Sequence, residues 1–298
     1  MRWRRPSRKP KCLHERQARR RRRWTAGSTS GCGVSVPIAE PRAAHGLVVS
    51  IVSHGHGPHV AELLRQLAGN CAASVTRVVL TLNIPEPQPA PAAPPGGWPF
   101  ALQMVHNAAP LGFGANHNRA LAGATERFVC VLNPDVLLLP GEGDAMAALC
   151  AAAAVEGAGI AYPIQIDAAG VEQDSRRELT TPLSLLRRRL LRRRQQRCDW
   201  VNAACVLLPT RVWQAVQGFD ESFFMYCEDV DLSLRVQLAG WRLVAAPVRI
   251  VHAGQRASGR QWSHFQWHLR SLWKLWHSPA YLQARHQLRH RGHIAPSS

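Results

Sequence analysis

The chain contains no run of the roughly 18 uninterrupted apolar residues that a bilayer-crossing helix requires. The nearest approach, Ala145 to Val155, is alanine-rich and only the length of an ordinary helix, so an integral membrane protein is not expected. An N-terminal apolar core of the secretory kind is also missing. The eight cysteines show no paired spacing such as CxxC, and Cys130, Cys150 and Cys205 stand within apolar stretches, as small core residues do. A reducing, cytoplasmic compartment follows as the expectation. Both nucleotide-binding fingerprints, GxxxxGK[ST] and GxGxxG, are absent. Acids are scarce too, 19 Asp and Glu against 37 Lys and Arg for a net charge of +18.

That charge is unevenly distributed. Residues 1–45 carry 13 Lys and Arg against two Glu, including the unbroken run Arg19 to Arg23, and end in the Gly- and Ser-rich stretch Thr25 to Ser35. With almost no aliphatic periodicity this tail is expected to be disordered. It reads as a polyanion- or anionic-lipid-binding arm, as a solvated extension, or as translated sequence upstream of the true start. The remaining chain, 46% apolar overall across 298 residues, is long enough for one large or two small domains.

From Leu47 the pattern alternates. Leu47 to Ser53 reads as a buried strand, Val60 to Leu67 as helix, and Arg77 to Leu82 as a second strand, the βαβ rhythm of a parallel sheet. After a Pro-rich insert, Pro85 to Pro99, comes a strand at Phe100 to Val105. The run Leu111-Gly112-Phe113-Gly114-Ala115-Asn116-His117-Asn118 then leads into a helix through about Ala124. Glycines there can bring backbone close to a ligand. Phe128 to Leu132 is all apolar, as a central parallel strand should be, and ends abruptly in Asn133-Pro134-Asp135. An acid in that position faces the ligand crevice. An Ala-rich helix, a strand near Gly159 to Tyr162, a strand at Trp200 to Leu208 and a helix at Thr210 to Gln217 follow.

Three carboxylates within four positions, Glu228, Asp229 and Asp231, come directly after Phe223, Phe224 and Tyr226. Val230, Leu234, Leu238 and Trp241 then space an amphipathic helix that stops at Gly240, so the acids sit at its N-terminus. The helix dipole and free amides favour acids there by about 0.3–1 kcal/mol each, which is one explanation. An aromatic wall that raises their affinity for a proton or a metal is the other. Asp135, the acid cluster and His252, which follows a Leu243 to Val251 strand, together offer oxygen and imidazole donors suited to Mg²⁺ or Mn²⁺. Two more segments stand out. Leu185 to Arg197 sets seven arginines around four leucines, in the pattern of a membrane-surface helix or of a solvated loop. Near the C-terminus Trp262, Phe265, Leu269, Leu272, Trp273 and Trp276 line one helix face, for packing or for lipid contact.

The ordered motifs, Leu111 to Asn118, Leu132-Asn133-Pro134-Asp135, Asp199-Trp200-Val201-Asn202-Ala203-Ala204, Gly218-Phe219-Asp220-Glu221 through Glu228-Asp229-Val230-Asp231 to Arg235, and Val251-His252, resemble the family 2, GT-A-fold glycosyltransferases of the rhamnosyltransferase-like group. The resemblance spans about Leu47 to Gln255. It implies an α/β Rossmann-like fold with a mostly parallel central sheet, organised as a basic tail (1–45), a GT-A domain (46–255) and a C-terminal aromatic and basic helical extension (256–298).

The resemblance implies an inverting transfer of a sugar, rhamnose by family likeness, from a dTDP- or UDP-linked donor to a hydroxyl of a glycan or lipid-linked acceptor of the cell envelope. Asp229 matches the general base, with Glu228 supporting it or positioning the acceptor, and Asp231 is expected to pair with Arg235. Asp135 and His252 match ligands of a divalent cation on the donor diphosphate. Ser53, Asn83, Gly112, Gly114, Asn116, Asn118 and Asn133 fall on the donor side, and Trp200 and Asn202 on the acceptor side. The sequence departs from the family at Asn133, where an acid is common, at Leu82-Asn83-Ile84-Pro85-Glu86, where Asp-Asn-x-Ser is usual, and at Asn202-Ala203, in place of Ser-Gly. A peripheral place on the inner face of an anionic membrane suits the basic and Trp-rich segments. The competing class is a non-enzymatic polyanion-binding protein on an inert scaffold, and no specific nucleic acid is implied.

Overall fold

The computed structural model describes residues 46–86, 93–179, 181, 197–252 and 262–291. The basic tail and all of the Leu185 to Arg197 segment except Arg197 lie outside the described residues.

Strand β1 (Leu47–Ser53) is followed by helix α1 (Gly57–Asn70), whose Val60, Leu63, Leu64 and Leu67 recur at helical spacing and are fully buried. Each such side chain stabilises the fold by about 1.5–3 kcal/mol. Next come β2 (Val75–Leu82), β3 (Ala101–His106), α2 (Phe113–Leu121), β4 (Phe128–Leu132), β5 (Val136–Leu138), α3 (Ala145–Ala153) and β6 (Ala158–Ile166). The two-residue strands β7 (Arg176–Arg177) and β8 (Trp200–Val201) pair with each other. β9 (Cys205–Pro209), α4 (Thr210–Ala215), α5 (Glu228–Leu238), β10 (Arg242–His252), α6 (Trp262–His277) and α7 (Pro279–Arg291) complete the chain.

Eight strands form one sheet in the order β3-β2-β1-β4-β9-β6-β10-β5. The β3-β2-β1-β4 block and the β6-β10 pair are parallel, while β9 runs antiparallel to both its neighbours and β5 antiparallel to β10. Central strands are buried on both faces, which is why they read as continuous apolar runs. Val49, Ile51, Cys130 and Leu132 face a core shared with α1 and α3, and Val48, Val129 and Val131 face one shared with α2 and α5.

Three elements differ from the sequence reading. The single strand expected at Trp200 to Leu208 is two, broken at Asn202-Ala203-Ala204. The Asn202 amide donates to Ser175 O (3.1 Å) and its side chain exchanges two hydrogen bonds with Gln165, which draws the chain from the small sheet into the large one. The strand near Gly159 runs on to Ile166 through Pro163, and opposite it the register of β10 shifts between Ala245 and Arg249, where Pro247 removes a donor. Strand β5 went unforeseen. After β4 the chain turns through Asn133-Pro134-Asp135 and pairs with the end of β10, Val136 opposite His252, with Leu138 N donating to Gln66 Oε1 of α1 (2.7 Å).

Candidate active site

Strands β1, β2, β4 and β10 all end at one rim of the sheet, the side on which open α/β sheets bind ligands. The β5 crossing brings the acid after β4 to the histidine that ends β10. Asp135 Oδ2 lies 3.4 Å from His252 Nε2, each side chain 15% exposed. Burial alone would raise the Asp135 carboxyl. The hydrogen bond and charge of His252, with His56 behind them, outweigh it and hold Asp135 below the usual carboxylate range. Gln173 Nε2 donates to the His252 carbonyl (2.9 Å), which steadies the strand end. Among the described residues no group of three His, Cys, Asp or Glu side chains comes together as a metal cage. Asp135 and His252 stand side by side as one oxygen and one nitrogen donor.

The acid cluster stands where the helical spacing placed it, at the start of α5. Tyr226 and Cys227, just before it, both take left-handed backbone (φ 71° and 68°), an arrangement that costs about 1–2 kcal/mol per residue for side chains with a Cβ. It turns Glu228 into the protein. Glu228 is 7% exposed and its Oε2 is buried without a hydrogen-bond partner. Burial first, and the neighbouring Asp229 second, push its carboxyl well above the usual range. Asp229 is half-buried. Burial raises it as well, against the pull of the Val230 amide, which donates to Oδ1 (2.8 Å), the Arg177 charge and the Ala203 amide. Asp231 is 3% exposed and accepts from Arg235 Nε (2.6 Å), the i+4 pair the sequence implied. The same guanidinium donates to the carbonyls of Val216 (2.5 Å) and Gly218 (2.8 Å).

The expected aromatic wall is only partly built. Phe223 is buried with Cys227 and Val230, whereas Phe224 is 42% exposed and turns onto Trp267, ring centroids 5.2 Å apart.

The 111–118 run behaves differently from its sequence reading. A Cβ on Gly112 would lie 2.6 Å from Phe224 O, and one on Gly114 2.7 Å from Phe219 Cβ. The close approach those glycines permit within the protein is to the 219–224 segment ahead of the acids. Phe113 N donates to Phe224 O (3.0 Å), and Asn118 closes a pair of bonds with Phe219, donating to its carbonyl (2.8 Å) and accepting from its amide (2.9 Å). Asn116, 1% exposed, accepts from Asn107 (2.6 Å) and donates to the carbonyls of Leu111 and Gly112.

Asn83 likewise bonds within the protein, accepting from Leu111 N (2.8 Å) and Asn107 Nδ2 (2.9 Å) and donating to Leu111 O (3.0 Å). Ser53 is buried and accepts from the His56 amide (3.1 Å), and the Asn133 amide donates to Ala204 O (2.8 Å). These asparagines lock the loops that border the rim. Trp200 is 6% exposed, its Nε1 donating to Glu178 O (2.9 Å), and Asn202 is held by Gln165.

Sequence reasoning missed His56, which faces Asp135 from the end of β1, and the Ala203 amide, which faces Asp229. The position of His56 just past a buried strand was a usable signal. Nothing local marked Ala203, since its role follows from the break between β8 and β9.

Comparison with known proteins gives the family and the fold. An N-acetylglucosaminyl-diphospho-decaprenol L-rhamnosyltransferase of Mycobacterium tuberculosis is 28% identical over 287 residues, covering 83% of this chain and 92% of that protein. The rhamnosyltransferase WbbL of Escherichia coli (strain K12) is 38% identical over 78 residues, 26% of this chain and 30% of its own. Among solved structures, residues 1–349 of S. aureus TarS superpose with a TM-score of 0.50 at 14% identity, over 78% of this chain and 66% of that one, which supports the fold alone. The sequence profile described as "Glycosyltransferase like family 2" matches residues 45–293, and this α/β protein of GT-A fold accordingly belongs to that family.

Proposed function

We propose that this glycosyltransferase moves a rhamnose-type sugar from a nucleotide-diphosphate donor, dTDP- or UDP-linked, to a hydroxyl of a lipid-linked cell-envelope glycan, inverting the anomeric centre. The observation that carries the reading is the Glu228–Asp229 pair at the sheet rim: two adjacent carboxyls with raised proton affinity, one buried and one half-buried. A base of this kind suits an acceptor hydroxyl.

Asp229 takes the hydroxyl proton as the acceptor oxygen attacks the anomeric carbon. The bond from that carbon to the diphosphate breaks in line, and the nucleoside diphosphate leaves with its electron pair. No covalent enzyme intermediate is needed once both reactants are held in line. Ala203 N and Val230 N steady the Asp229 carboxylate before attack. Asp135, kept ionised at the rim, and His252 would hold a divalent cation, Mg²⁺ or Mn²⁺, since a carboxylate and an imidazole leave positions for diphosphate oxygens. Such a cation, when bound, neutralises charge on the leaving diphosphate. Ser53, Asn83, Gly112, Gly114, Asn116, Asn118 and Asn133 shape the donor side through the loops they lock, and Trp200 and Asn202 the acceptor side. The lipid-linked acceptor follows the name of the mycobacterial relative, and a site of action at the membrane surface follows from such an acceptor.

Asp229→Asn should lower turnover by roughly 10²–10⁴-fold, the usual contribution of a positioned base, with the donor-induced rise in melting temperature intact. Turnover at the wild-type rate would remove Asp229 from the mechanism. A melting-temperature screen of nucleotide sugars with and without Mn²⁺ identifies the donor, because stabilisation grows with the logarithm of ligand concentration over affinity.

A further inference from the structure

The helix α6 has two working faces. On the inner face, four residues contact four successive residues ahead of the catalytic acids. Lys274 Nζ lies 4.8 Å over the Phe223 ring, Trp267 packs on Phe224, Ser271 Oγ donates to Met225 O (2.8 Å), and His268 lies 5.2 Å from Tyr226. Leu272 and Leu275, next to this face, are buried with Val230, Leu234 and Tyr281. The single apolar stripe read from the sequence therefore splits. Leu269 and Trp273, one turn apart, point the other way and are 51% and 66% exposed, among the exposed Gln266, Arg270 and His277.

An exposed Trp and Leu one turn apart, set among polar and basic groups, are what an interfacial helix presents to lipid. Charge selects the occupant. Between Trp262 and Arg291 stand four Arg, Arg270 on this outward face, with no Asp or Glu, while the one Lys, Lys274, belongs to the inner face. A second copy would bring like charges together, whereas a negatively charged lipid surface attracts them. No described helix is long and apolar enough to cross a membrane, so the contact would lie on the surface.

We propose that the outward face of α6, Leu269 and Trp273 with Arg270 beside them, docks on an anionic lipid bilayer. The docking face and the support of the catalytic segment then belong to one rigid helix, which holds Asp229 at a set height over the surface. Docking rests on the lipid-linked-acceptor reading for its purpose alone, since vesicle binding requires no sugar.

The test is co-sedimentation of the full chain, without donor, with vesicles of phosphatidylcholine alone or containing phosphatidylglycerol at about one part in three. The chain should bind the anionic vesicles, release them at high salt and ignore the neutral ones. The double variant Leu269→Asp, Trp273→Glu should bind at least about tenfold less, with its melting temperature and its donor-induced shift unchanged. That donor shift keeps failure of docking distinct from failure of the transferase reading. Anionic-vesicle binding that the double variant retains overturns the proposal, as does a wild-type chain that binds neither vesicle. Self-association in solution that the double variant abolishes also overturns it, because the face would then belong to a second copy.

Discussion

Glu228 has little to offset a charge. Its Oε2 is buried without a partner, and its neighbour in sequence is another acid. A carboxyl whose folded-state pKa exceeds its unfolded value binds more protons when folded. Stability from this group is therefore full below the ordinary carboxylate range and declines as pH rises through the elevated value. Glu228→Gln keeps the shape and removes that penalty. Its melting temperature should exceed the wild type's at pH 8, by about 2–4 °C for each kcal/mol recovered, and the two should converge at pH 4. A wild-type melting temperature that does not fall relative to the variant between those pH values contradicts the burial of the charge. Asp229 is also raised, so turnover should increase with pH through an apparent midpoint above the usual carboxylate value, belonging to the pair as a whole. The sequence exposed these residues because three acids in four positions are conspicuous. It could not separate their roles, since buried without a partner, held by an amide and ion-paired are properties of surroundings: burial for Glu228, the Ala203 amide for Asp229 and Arg235 for Asp231.

At the scale of elements, the start of α5 is held from two sides. Arg235 ties the helix to the carbonyls of Val216 and Gly218, and α2 meets the 219–224 segment through Gly112, Gly114 and Asn118. Arg235→Ala leaves Asp231 buried without its cation and should destabilise by about 3–5 kcal/mol in chemical unfolding. Asp231→Asn, which keeps the guanidinium bonds to both carbonyls, should be milder. Equal losses would mean that the carbonyl ties contribute nothing. Gly114→Ala forces Phe219 aside, an overpacking effect of about 1–3 kcal/mol, and should lower kcat more than donor affinity, because the displaced segment carries the acids. A change confined to donor affinity would return Gly114 to a ligand contact. The helical period of α5 and its stop at Gly240 were legible from spacing alone. The partner of the glycines was not, because a glycine signals close approach without naming what approaches.

At the scale of the whole molecule, the tail and the C-terminal helices should part company. Removing residues 1–45, upstream of nearly all the family match, should leave turnover within about twofold, as expected when every candidate site residue lies beyond the truncation. A chain ending before Trp262 loses Leu272, Leu275 and Tyr281 from the core that holds Phe223, Cys227 and Val230. It should melt lower and lose turnover even where it still folds, and unchanged kinetics would show that α6 gives the acids no support.

The chain by itself determined the alternation of strands and helices, the central all-apolar strands, the acids at the start of α5 and an acid at the end of β4, because periodicity and composition are local and act through burial on both faces of a sheet. Only the tertiary structure decided that β5 crosses to β10 and sets Asp135 against His252, that the chain breaks at Asn202 to offer the Ala203 amide to Asp229, and that α6 divides its apolar residues between the core and the surface. Each depends on contacts between segments far apart in sequence, where the chemistry of a residue states what it can do and the fold supplies its partner.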